Sequence, residues 1–214
     1  MLDTIQEHLE AIYSIRCEHR ARDFVVDAEV GEQLGGGALG REELLVRESH
    51  EGLELALVLP KELMGRLTPY EGAPGRALDS ELPAFCEVAE GVSHFMYLSR
   101  AAALERKVSL LELETQGEID KFASCVLLRW GHGVGEFARH MIGLFQRAGL
   151  RAGLSAEESR RYAEAGRLGQ RFCERLLPLV NQRKLEPLLD SLRYAYRLGA
   201  EAKLTHLAVA GSRA

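Results

Sequence analysis

The chain has 214 residues, 46% of them hydrophobic and 28% charged, with a formal net charge of -5. That length holds one substantial core or two small domains, and the proportions are those of an ordinary globular protein. The composition argues against a disulfide scaffold, because Cys17, Cys86, Cys125 and Cys173 are scattered without a CxxC pair, and against a strongly basic nucleic-acid binder, because the pI is about 5.9.

In chain order, "DTIQEHLEAIYSIR" places Ile5, Leu9, Ile12 and Ile15 near helical spacing, with Asp3 as N-cap. "DFVVDAEV" puts Phe24, Val26, Ala28 and Val30 on one face at period two and predicts a strand. The glycine-rich "GEQLGGGALG" reads as a loop. "ELLVRESHEGLELALVL" predicts a hairpin turning at Ser49 to Gly52, with Leu53, Leu55, Leu57 and Leu59 on one side. Pro60 suits the first turn of a short helix ending at Leu67. "TPYEGAPGRALDS" carries the clearest linker composition.

Beyond it the pattern is helical. Helices are expected over about 81–104, about 109–130 from the capping box "SLLE", and about 134–148. A fourth is expected from the capping box "SAEE" to about 177, stopped by Pro178, and a last over about 184–207. The expected architecture is therefore α+β and mainly α. A small N-terminal antiparallel sheet with one or two helices spans 1–70, a linker spans 71–79, and an antiparallel bundle of about five helices spans 80–214. No run approaches the roughly 20 apolar residues that cross a bilayer, and the N-terminus carries no basic-then-apolar leader. A cytoplasmic protein without membrane contact is expected.

"RWGHGVGEFARHM", residues 129–141, looks like chemistry at first sight. Its glycines follow a capped helix, not a strand, so they lack the setting of a phosphate-binding loop. His132, Glu136 and His140 are four apart, yet stepping around the helix puts Glu136 and His140 opposite the face of Val134, Ala138 and Met141. A joint between helices is the better reading.

Two other groups stand out. On the 81–104 helix, Glu87 and His94 fall at the edge of the apolar arc of Phe85, Val88, Val92 and Phe95, and Glu90 is expected on the opposite side. On the next helix, Glu114, Glu118, Lys121 and Cys125 form a narrow stripe on an element that is apolar all round. Buried carboxylates are costly unless paired, so the stripe is an internal ion-pair network, a polar pocket or simply exposed to solvent. In the pocket reading, Glu87, His94, Glu114, Glu118 and Lys121 bind a ligand, and the first four hold a divalent metal.

Charge is unevenly distributed. Residues 1–139 carry 14 basic against 25 acidic groups, and 140–214 carry 13 against 7. Within the basic part Arg160, Arg167, Arg171 and Arg175 align on one helix and could bind an anion. Interleaved Glu157, Glu164 and Glu174 disfavour nucleic acid and favour pairing within the protein or with a partner. No catalytic residue is identified and no cofactor is called for, the divalent metal being the alternative. The leading expectation is a non-catalytic binding or adaptor protein that works through protein contacts, as a homo-oligomer or with a partner. The alternative is a helical metal- or small-ligand-binding enzyme built on the Glu/His group.

Overall fold

The computed structural model describes residues 1–36, 42–50, 52–145 and 154–209. The fold is α+β and mainly α. Its contacts form two units, Met1–Glu10 with Ile15–Lys107, and Ala11–Ser14 with Val108–Ala214. Helix α1 (Leu2–Tyr13) contributes to both. Among the described residues no helix is long and apolar enough to cross a membrane.

In the first unit the hairpin is present as β2 (Glu43–Ser49) and β3 (Gly52–Val58), antiparallel with Leu44 opposite Leu57 and Val46 opposite Leu55. The sheet is mixed where an antiparallel one is expected, because the two-residue strand β1 (Val25–Val26) lies parallel to β3. The period-two run that predicts a longer strand breaks at Asp27. Its side chain accepts a hydrogen bond from the Val30 amide at 3.0 Å and caps helix α2 (Ala28–Gln33). A side chain that satisfies its own downstream amide offers the backbone a helical start in place of a ladder. Helix α2 therefore takes in Gly31–Gln33, the start of the expected glycine loop, and the end of that loop, 37–40, lies outside the described residues.

Helix α3 (Lys61–Leu67) follows Pro60 as the sequence suggests. The expected linker instead folds largely as α4 (Pro74–Ser80), which buries Ala77 and Leu78, and the contact division comes after Lys107. Pro74 at the first turn supplies the helical φ that its loop-like composition conceals. Helix α5 (Leu82–Ala103) belongs to this unit, and Phe24 packs on its Phe95 with ring centroids 4.8 Å apart. A buried knot ties the segment after α1 back to it. Gln6 donates to the His19 carbonyl and accepts from the Ala21 amide, while Glu10 accepts from the Cys17 amide at 3.0 Å.

The second unit is a helical assembly. It comprises α6 (Leu110–Leu128), α7 (Val134–Leu144), α8 (Ala156–Asn181), α9 (Leu185–Arg197) and α10 (Ala200–Ala208). Helix α8 packs against the other four. Its capping box is complete, Ser155 and Glu158 each closing on the other's amide. Pro178 falls inside α8 where the sequence predicts a stop. So near the C-terminus a proline forfeits a single backbone bond, and burial of Leu176 and Val180 carries the helix past it. The single last helix of the sequence reading is two, broken where Leu198 turns extended and Gly199 caps α10. The break redirects α10 so that Lys203 and Leu207 are buried.

Candidate functional site

The stretch 129–141 is a joint. Gly133 adopts the left-handed conformation at φ 77° and caps α7, while His132, Glu136 and His140 are exposed. They do not converge.

The group on α5 is far more buried than its amphipathic pattern implies. From Val88 to Tyr97 every residue is buried, including Glu90 at 2% and His94 at 6% exposure. Glu90 is thus a correction to the sequence reading, which places it in solvent. A helix enclosed on all sides has no outward face, and the 100° stepping argument loses its force there. A further acid that sequence reasoning missed, Glu42, enters from the residue before β2. Its amide donates to Glu87 Oε1 at 3.1 Å, and its own Oε1 lies 3.6 Å from His94 Nδ1. The local reason is Gly91. A Cβ there would sit 2.7 Å from Glu42 Cγ and 2.9 Å from Leu57 Cδ1, so Glu42 and β3 reach α5 only across a glycine. Mid-helix glycine costs about 1 kcal/mol relative to alanine, and this one is retained where two elements need the room. A lone glycine in "AEGVSH" was the available clue, since a helical glycine with a packing reason marks close approach.

The expected pocket drew its residues from both units, Glu87 and His94 from the first and Glu114, Glu118 and Lys121 from the second. Within the second unit, α6 is buried continuously from Glu112 to Val126. Lys121 Nζ lies 3.1 Å from Glu118 Oε1, and Arg161 of α8 approaches Glu114 at 3.9 Å. Gly169 lets α8 close on α6 here, where a Cβ would meet Glu118 Cβ at 3.0 Å. A second polar group, absent from the sequence reading, lies on the same helix. Tyr13 donates a hydrogen bond to Asp120 Oδ1, and Gln116 Nε2 donates to the same oxygen at 2.7 Å and to Tyr13 Oη at 3.2 Å. Tyr13 stacks on Tyr196 at 4.0 Å, and Lys203 Nζ sits 5.5 Å from the centre of that second ring. Burial first, then the Asp120 charge, holds the Tyr13 hydroxyl well above the ordinary tyrosine range.

The arginine row on α8 is divided among tasks. Arg160 is exposed and Arg167 forms a two-pronged pair with Glu164. Arg171 donates to the Ala208 carbonyl at 3.2 Å, and Arg175 to those of His206, Leu207 and Val209. Two arginines thus satisfy the carbonyls at the end of α10, which a helix leaves without intrahelical partners. Beside them runs an open groove of about 380 Å³. Phe172, Leu176 and Leu179 of α8 form its apolar side. Tyr194 of α9 and His206 of α10 meet edge to face over it at 5.2 Å, and Arg175 and Asp190 mark its rim. Burial, then Arg175, lowers the His206 pKa, so this ring is neutral at neutral pH.

Cys17 and Cys173 are not poised as nucleophiles. Burial, then Glu118 and Glu174, pushes the Cys173 thiol well up. The Cys17 thiol is pushed up to about 11 by burial, then by Glu10, with Arg100 and Arg20 opposing. Iodoacetamide labelling of Cys17 at pH 8 is therefore expected to run roughly a hundredfold slower than in the unfolded chain, since the thiolate is the reactive form. Mass-spectrometric labelling rates with an inflection near pH 8.5 at this residue would contradict that environment.

No protein-family model, curated protein or solved structure matches this chain.

Proposed function

We propose that the chain is a non-catalytic binding protein, and that the groove of α8, α9 and α10 takes a short acidic, amphipathic segment of a partner protein. The observation that carries this reading is the exposure of Tyr194, 59%, over a groove whose side is Phe172, Leu176 and Leu179. An aromatic ring held over an apolar trough is the usual anchor of a protein contact. An open trough between helices accepts the apolar face of another helix. Its volume lies within the roughly 300–1,000 Å³ of ligand sites. The acidic character follows from charge. Residues 140–214 carry 13 basic against 7 acidic groups, and at the rim the Arg175 guanidinium stands with one acid, Asp190. A cytoplasmic setting belongs to the same reading and fits four cysteines that form no disulfide in the described structure.

Panning a phage-displayed peptide library against the wild type and the Tyr194→Ser variant tests this. Enriched peptides are expected to carry apolar residues at i, i+3 and i+4 beside Asp or Glu, to bind the variant at least tenfold more weakly, and to weaken with salt. Peptides that do not distinguish the two proteins would overturn the reading. So would light scattering that finds a dimer dissociated by Tyr194→Ser, because a second copy would then be the occupant.

A further inference from the structure

From a different part of the molecule, we infer that the outer edge of β2 pairs with the same strand of a second copy of this chain, antiparallel and centred on Leu45.

Strand β2 ends the sheet, whose order is β1-β3-β2. Ser49 and Gly52 are ladder partners with two residues between them, so they close the hairpin by exchanging both backbone bonds. Counting back from that pair, Glu43, Leu45 and Arg47 bond to β3, and the amides and carbonyls of Leu44, Val46 and Glu48 point away from it. No strand among the described residues lies on that side. A seven-residue edge without proline or glycine is a ready template for another strand. On it Val46 is 47% exposed.

The order of the residues selects both the occupant and the register. In an antiparallel pair centred on Leu45, that residue faces its own copy, Leu44 faces Val46, and Glu43 faces Arg47, each twice by symmetry. Apolar side chains then meet apolar ones, and acid meets base. Leu44 and Val46 share a face with their β3 partners Leu57 and Leu55, so apolar surface runs on across the join. Arg47 already bonds to Glu54 across the hairpin, and its five donors can serve Glu43 of the second copy as well. Glu48 falls beside the second copy's Glu42, whose side chain is turned inward to His94.

The backbone agrees with this register, because Leu44 and Val46, set opposite each other, both point their polar groups outward. Neighbouring registers lose the match. Centring on Val46 sets Leu44 against Glu48 and Leu45 against Arg47. Centring on Leu44 sets Glu43 against Leu45 and leaves Arg47 beyond the paired strands. The sequence of β2 is complementary to itself in one alignment, which is what a second copy requires.

Sedimentation equilibrium of the full chain tests this up to about 0.2 mM, because one strand pair buries less than the roughly 1,200–2,000 Å² of a standard interface. A concentration-dependent dimer is expected. Glu43→Arg and Arg47→Glu should each weaken it at least tenfold, since each sets like charges opposite one another. Mixing the two variants in equal amounts should restore the dimer, because every facing pair is then again one acid and one base. A wild type that stays monomeric overturns the inference, as does a dimer that neither variant weakens. So does a mixture of the two folded variants that remains monomeric. If either variant fails to fold, Leu45→Cys under mild oxidation decides. A covalent dimer that the wild type does not give supports the pairing, and its absence overturns it.

Discussion

Replacing Asp120 with alanine is expected to destabilise the second unit by about 2–6 kcal/mol, because two buried donors lose their acceptor at roughly 1–3 kcal/mol each. Those donors are the Tyr13 hydroxyl and the Gln116 amide, and Asp120 itself is 2% exposed. Asp120→Asn, which keeps one acceptor oxygen, should cost less. Tyr13→Phe should cost about 1–3 kcal/mol, the price of one buried acceptor losing its donor. Urea unfolding followed by far-UV dichroism measures all three, and an Asp120→Ala midpoint equal to that of the wild type would refute the network.

The same network fixes a pH dependence and its sign. The folded-state pKa of Tyr13 is raised above its ordinary value of 10.0, by burial first and then by Asp120. A group with a raised folded pKa contributes stability that is complete below the unfolded value and is lost as the pH climbs from there towards the folded one. Stability is therefore expected to fall above about pH 10, with this residue adding at most about 1.4 kcal/mol per pH unit. Tyr13→Phe should remove that share of the slope. An alkaline slope identical in the wild type and the variant would show that the hydroxyl is not held protonated by the fold.

Helix identity was legible wherever a local device and a periodic face agreed. Ser155 with Glu158, Ser109 accepting from the Glu112 amide, and Pro60 before α3 are each readable from a few residues. The extent of strand β1 was not, because the alternation of Phe24, Val26, Ala28 and Val30 is real while the Asp27 cap that cuts it short is a competing local bond. The candidate sites divide in the same way. His94 and Glu87 could be singled out from residue type and face, since both kinds of information lie within one helix. Glu42 could not, for it lies 45 positions before Glu87 and meets it through tertiary packing over Gly91. Tyr13 and Asp120 are separated by 107 positions, and no periodicity on either helix announces their bond.

The charged stripe of α6 tests whether such burial is structural. Glu118 and Lys121 are 4% and 8% exposed, with Nζ 3.1 Å from Oε1. If their role is to neutralise each other, removing one takes from the other the counter-charge at 3.1 Å, and Glu118→Met or Lys121→Met alone should cost up to about 3–5 kcal/mol. Replacing both with methionine removes the desolvation penalty along with the attraction. The double variant should then fall between neutral and about 1–4 kcal/mol more stable than the wild type. Gly169 sharpens the prediction, because α8 already presses to within 3.0 Å of Glu118 Cβ for any added methyl. The substitutions must therefore preserve side-chain length and volume, which methionine does better than a branched residue. A double variant whose loss equals the sum of the two single losses would show that the charges do not compensate each other. The stripe would then be working on something other than itself, and the pocket reading of α6 would take precedence over the ion-pair reading.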